Sequence, residues 1–296
     1  MTDNQLSRKP KLITEIPSQG ELFIFSDQQN DSLTVSGVSI STSSFLRLGM
    51  KEATFNNCSF TQSYFEDSYF RKAIFKNVRF TGSTFKFCNF DKASFQSCDL
   101  RYCNFHCCKL PRDEIVATLP TEPNLKRDLA RNLRANFESL GDKKSADAFL
   151  DIEIQAYEEE LKAIFFSKTE YYRTHYDRFA QFYAGLKYCG SIISGVIWGY
   201  GHRVGRLLAS YAIITFLLSL LTYFSKINFF VSGHSSQRPL NLKESLYLIF
   251  SETLNASGAS FIPATSTGKL ILLAVSFLGT LFLALLAATL YRRIAR

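Results

Sequence analysis

Every fifth residue from Val35 to Leu110 is apolar: Val35, Ile40, Phe45 and Met50, then Phe at each step from Phe55 to Phe95, then Leu100, Phe105 and Leu110. Two positions before each of these the residue is usually small, as in Ser43, Ala53, Cys58, Ser63, Ser68, Ala73, Ser83, Cys88, Ala93, Cys98, Cys103 and Cys108. Leu33, Val38, Leu48 and Val78 are the larger exceptions, and the other three positions of each unit are mostly polar or charged. Such a period fits neither the 3.6 residues of a helical turn nor the alternation of a flat strand. It fits a coil with short sides, each turning one large and one small side chain inward. The chain holds 28 Phe against a single Trp, and this periodic slot is where much of the excess is used.

Units such as Ala93-Ser94-Phe95 and Cys103-Asn104-Phe105 resemble those of the pentapeptide-repeat family. The resemblance covers residues 33–110 and implies a right-handed quadrilateral β-helix of about four coils. Twenty residues then return the chain to the same side, so Phe45, Phe65, Phe85 and Phe105 should form one interior ladder. The run Cys98 to Cys108 invites a metal reading through its cysteines and His106. Three of those cysteines fall in the small inward slot, where Cys acts as a compact apolar residue, and the spacing lacks the short knuckles of zinc sites. Packing is the expected role, and no metal or cofactor is implied.

Pro111 closes the repeat and residues 119–123 read as a linker. Leu125, Leu129, Leu133, Phe137 and Leu140 recur at helical spacing before a stop at Gly141. A second amphipathic run follows, with Ala148, Leu150, Ile152, Ile154, Tyr157 and Leu161 as candidate buried positions, and the two together predict a helical hairpin. Residues 165–200 are aromatic and mildly basic, suited to a helix packed on the hairpin or to the headgroup level of a membrane.

Residues 207–224 and 270–291 lack charge and are long enough to span a bilayer. Arg203 and Arg206 precede the first stretch, and Arg292, Arg293 and Arg296 follow the second, which places both flanks in the cytoplasm. The polar start of the chain shows no secretory signal, so the expectation is a cell-membrane (inner-membrane) protein with both termini cytoplasmic. Six of the seven cysteines then sit where thiols stay reduced. The domains expected are an N-terminal tail at 1–32, the solenoid at 33–110, a helical linker with an interfacial helix at 111–200 and a membrane domain at 201–296. The fold class is a multidomain β + α membrane protein.

Between the two spans, residues 241–253 form an amphipathic stretch too short to cross, followed by a small polar loop ending at Pro263. This layout resembles the two-transmembrane pore-loop ion-channel domain, which occurs in bacteria fused to pentapeptide repeats. The likeness runs from Trp198 to Arg206, through Ser245–Ser251 as a re-entrant pore helix and Pro263 with Gly268-Lys269, to Phe277–Arg293 as the inner helix. It implies a channel subunit, a homotetramer, with membrane lipids and permeating inorganic ions as partners. The filter would lie within Thr253, Leu254, Asn255, Ala256, Ser257, Gly258, Ala259 and Ser260. That segment lacks the paired glycines of a potassium filter, whose carbonyls replace the ion's hydration shell, so a weakly selective or anion-permeable pore is expected. Glu252 would either ring the pore mouth, favouring cations, or cap or pair with Lys243 or Lys269. Gly279 would serve either as a gating hinge or as a small residue allowing close helix contact.

The alternative is a membrane-anchored interaction or scaffold protein without conduction. Mimicry of DNA, a role known among pentapeptide-repeat proteins, is disfavoured: residues 33–110 carry ten Lys or Arg against five Asp or Glu, and the whole chain is +8. No nucleic acid partner is expected, and anionic lipid suits that charge better. The scattered histidines (His106, His175, His202, His234) and the lack of a nucleotide-binding glycine loop argue against an enzyme.

Overall fold

In the computed structural model, which describes residues 24–167, 170–201, 204–231, 237–254, 256 and 261–294, the five-residue period becomes a four-sided coil. Three-residue strands run from Ile24–Ser26 to Asn104–His106 and pair in parallel with their counterparts twenty residues on, as Phe45 does with Phe65 and Phe65 with Phe85. One side carries the strands at residues 24, 44, 64, 84 and 104, and another those at 34, 54, 74 and 94. The remaining sides are joined by Ser39–Ser41 with Ser59–Thr61 and by single bridges such as Gln29 with Gly49 and Arg79 with Asp99. The described coil reaches back to Ile24, ahead of residue 33, and makes about four turns.

The anticipated ladder is present and one rung longer. Phe25, Phe45, Phe65, Phe85 and Phe105 stack with centroids 5.1, 4.5, 4.8 and 5.0 Å apart. Rings on neighbouring sides meet them edge-on, as Phe60 meets Phe65 at 6.0 Å. These are the arrangements favoured by the aromatic quadrupole. The small slot admits Ser and Cys because each has a donor to spend on the backbone: Ser83 Oγ donates to the Phe60 carbonyl at 2.5 Å and Cys103 Sγ to that of Phe80 at 2.9 Å. Cys98 and Cys108 do the same toward Phe75 and Phe85, and burial pushes the Cys98 thiol up to about 11. The cysteine-rich run is therefore packing, with three thiols turned inward and His106 exposed.

Each corner is turned by a residue in the left-handed region. Every fifth position from Asp27 to Cys107 has φ between +49° and +73°, and only Gly37 and Gly82 among them are glycine. For other residues this conformation costs roughly 1–2 kcal/mol, so the stacked rings and the parallel ladder must offset it turn by turn.

The last coil would leave backbone groups open to pairing. Two asparagines one turn apart on α2 (Pro123–Ser139) close it. Asn132 accepts from the Phe105 N–H at 2.7 Å and donates to the Phe105 carbonyl at 3.3 Å. Asn136, 2% exposed, does the same for Cys108 at 2.7 and 2.9 Å. Before them, α1 (Arg112–Ala117) buries Ile115 and sends Glu114 back to accept from Phe95 N–H and Ser94 Oγ, both at 3.0 Å.

α2 and α3 (Lys143–Phe165) form the hairpin, with Gly141 at φ +74° ending one helix and Asp142 accepting from Ser145 N–H to start the next. Phe137 stacks on Phe149 at 5.4 Å, and Glu153 takes both Arg131 and Arg134. On α2, Leu129, Leu133 and Phe137 are buried as anticipated, whereas Leu140 is exposed at the helix end. On α3 the buried stripe is Ala146, Phe149, Ala156, Glu160 and Ala163–Ile164. Of the positions expected from the sequence, Leu161 alone is buried, and Ala148, Leu150, Ile152, Ile154 and Tyr157 are half-buried. Small alanines and Phe149 define the inner face, and the bulkier aliphatics lie on its shoulders.

The chain divides into two compact units, Met1–Gln181 and Phe182–Arg296. After α4 (Glu170–His175), α5 (Arg178–Trp198) crosses from one to the other. The second unit continues with α6 (Val204–Phe224), α7 (Leu242–Thr253) and α8 (Ser266–Ile294). α6, and α8 as far as Tyr291, are long and apolar enough to cross a membrane. A small antiparallel sheet, unforeseen in the sequence, joins Asn228–Val231 to Gln237–Pro239 on one edge and Phe261–Pro263 on the other. Phe229, Leu240 and Leu248 bury themselves under it.

Candidate functional site

The turn that feeds α6 is tightly tied. Tyr200, at φ +56°, lays its ring on Gly195, where a Cβ would lie 2.5 Å away. Arg206 donates to the Gly195 carbonyl at 3.1 Å and Ser210 Oγ to that of Ile197 at 2.6 Å, closing the open end of α5. Trp198 Nε1 donates to Ser194 Oγ.

α6 has one polar stripe. Tyr211, Thr215, Ser219 and Thr222 recur at helical spacing, and the last three are buried. Thr215, Ser219 and Thr222 return their hydroxyls to carbonyls one turn earlier, on Tyr211, Thr215 and Leu218, so the helix carries them without an unpaired donor. Tyr211 instead reaches out of the helix: its hydroxyl lies 2.7 Å from Thr253 Oγ1, and its ring stacks on Phe282 at 3.9 Å.

Thr253 is the last residue of α7 and is 2% exposed. Its backbone rests directly on α8 at Gly279, where a Cβ would lie 2.1 Å from the Thr253 carbonyl oxygen. No other residue fits there without moving one helix. Of the two roles weighed for Gly279, close helix contact thus has a direct geometric basis. At its other end α7 is pinned by Glu244, which receives both guanidinium nitrogens of Arg238 (2.6 and 2.9 Å) and the Asn241 N–H (2.9 Å). Arg238 holds the Glu244 carboxyl below the usual carboxylate range.

Of the residues singled out in the sequence, the structure brings together Thr253 and Gly279. Leu254 is exposed, and Ala256 N–H donates to the Ser251 carbonyl at 2.9 Å, which carries the chain past the helix end. Glu252 is half-buried and makes no ion pair with Lys243 or Lys269. Asn255, Ser257, Gly258, Ala259 and Ser260 lie outside the described residues, as do His202, Arg203, His234, Arg296 and residues 1–23. Sequence reasoning missed Tyr211 and Phe282. The signal for Tyr211 is its place in step with small polar residues that mark a face turned from lipid; Phe282, one apolar residue in an apolar run, carries none.

Residues 48–117 match the pentapeptide repeat region family. Among solved structures, the chain is similar to a pentapeptide repeat protein from the Arabidopsis thaliana thylakoid lumen, at 14% identity, covering 34% of this chain and 86% of that one with a TM-score of 0.16. No curated protein matches the chain. The protein thus carries a pentapeptide-repeat β-solenoid of about four turns, followed by a helical region with two helices long and apolar enough to cross a membrane.

Proposed function

We propose that the protein is an ion-channel subunit whose second unit supplies part of a pore, with the pentapeptide-repeat solenoid on the cytoplasmic side for assembly or gating. The observation that carries this reading is the α6–α7–α8 arrangement. A helix too short to span is held between two that can, and its C-terminal residue is locked to both, by Tyr211 on one side and Gly279 on the other. A short helix fixed at that end can present the following backbone at a constant depth, and irregular backbone at membrane depth is tolerated where it lines a cavity or is buried in protein. One subunit offers only a share of such a pore, so closed symmetry is required, and a homotetramer follows from the resemblance. α5 fits the same picture: Phe179, Phe182, Tyr183, Leu186, Ile193 and Val196 form an exposed stripe on a helix with no acidic residue, suited to an anionic headgroup layer.

The segment after Thr253 keeps one glycine, Gly258, and no acidic residue before Pro263. A weakly selective or anion-permeable pore is the chemistry this supports. The test is flux through liposomes containing the purified chain, in potassium, sodium and chloride gradients, with the mass of the assembly measured in parallel. Flux altered in selectivity by Ser257→Asp supports the proposal. Stable tetramers that pass no ion sink it, and leave a membrane-anchored scaffold as the reading.

A further inference from the structure

A cavity of about 140 Å³ lies between α6 and α8, beside the C-terminal end of α7. Its walls are chiefly Leu207, Ile214 and Leu218 of α6 and Leu278, Leu281 and Leu285 of α8. Four hydroxyls border it, and each is already engaged. Ser210 donates to the Ile197 carbonyl, Thr215 is bonded to the carbonyls of Tyr211 and Ala212, and Tyr211 and Thr253 are bonded to each other. A trapped water needs two to four polar partners, and an apolar cavity of roughly 150 Å³ is known to stay dry and take up benzene. The chemistry that fits is therefore hydrocarbon.

The surroundings name its source. The walls belong to two helices long and apolar enough to cross a membrane, and their outward side chains, such as Phe277, are left bare. At that depth the surrounding medium is lipid acyl chain. We propose that this cavity is a binding site for the terminal segment of a phospholipid acyl chain, seated between α6 and α8 against Phe282. The proposal rests on reading the two helices as spans. It places the lipid beside the Tyr211–Thr253 bond, so the occupant braces the junction that holds the end of α7.

Leu207 and Phe282 are both buried within the protein and border the cavity, which makes them reporters. The full chain is reconstituted in phosphatidylcholine vesicles containing a phospholipid with a diazirine near the end of one acyl chain, irradiated, and the adducts mapped by mass spectrometry. Adducts are expected on Leu207 or Phe282 as well as on the outward Phe277. Thr215→Leu and, independently, Leu218→Phe fill the cavity and should abolish the first set while leaving the Phe277 adducts. Adducts on Phe277 with none on the buried pair overturn the proposal, as do buried-pair adducts that persist in both filled variants. Absence of adducts at Phe277 too would instead remove the span reading, and the proposal with it.

Discussion

Phenylalanine is placed in opposite ways in the two parts of this protein. In the solenoid Phe45 is 1% exposed and every ring of its ladder faces the axis; on α8 Phe277 is 70% exposed and Phe224 at the end of α6 likewise. The first arrangement is a core that each turn completes with its neighbours, so it needs water outside. The second leaves a long, nearly continuous apolar surface, far larger than the patches monomers keep in water, and it needs hydrocarbon or other subunits. An apolar period thus marks a water-facing core when polar residues cover its other face, as in the solenoid and the α2–α3 hairpin, and not when the apolar run is nearly unbroken, as on α6 and α8.

The comparison breaks most sharply at the centre of the ladder. Phe65 stacks on Phe45 and Phe85 and meets Phe60, Phe70 and Phe80 edge-on. Phe65→Ala should destabilise the solenoid by about 3–5 kcal/mol, read from denaturant unfolding of the full chain in detergent by far-ultraviolet circular dichroism. Phe277→Ala, in the same assay, should stay within about 0.5 kcal/mol. Next comes the closing edge: Asn136→Ala strips both partners from Cys108, leaving a buried N–H and C=O unpaired at about 1–3 kcal/mol. Hydrogen exchange should then rise at Cys108 and not in α6 or α8.

An effect of similar size with the opposite address is expected from Gly279→Ala. The added methyl meets the Thr253 carbonyl and should cost about 1–3 kcal/mol of overpacking, visible as faster exchange in α7 with the solenoid unchanged. A further, smaller change is a gain. Thr42, a β-branched residue, turns its corner at φ +52°, so Thr42→Gly should stabilise the solenoid by about 0.5–1 kcal/mol, measured as a higher unfolding midpoint.

The solenoid was legible because each of its slots recurs with a fixed meaning, and an inward Cys or Ser reads from its position alone. What escaped were the features that break such periods. Corner residues in the left-handed region include Lys72, Phe87 and Tyr102, residue types that do not announce that conformation. Asn132 and Asn136 look like the wet face of a helix until a coil end is set against them. α3 mixes apolar residues on its inner face and shoulders, so a list of bulky side chains picked Leu150 and Ile154 and passed over Phe149. The strands at 228–231, 237–239 and 261–263 are short, and the third is far from the other two in sequence. In the candidate site, Thr253 and Gly279 were each singled out, but only the fold reveals that one is the reason for the other.

The most direct test of the contrast between the two parts is side-specific cysteine labelling in oriented membrane vesicles, with Cys107 and Cys189 replaced by Ser and one new thiol placed at a time. The account predicts that Tyr102→Cys reacts with a water-soluble maleimide from the cytoplasmic face only, Lys243→Cys at the start of α7 from the opposite face only, and Phe277→Cys from neither. A Phe277→Cys thiol that labels as fast as that at position 102 would contradict it.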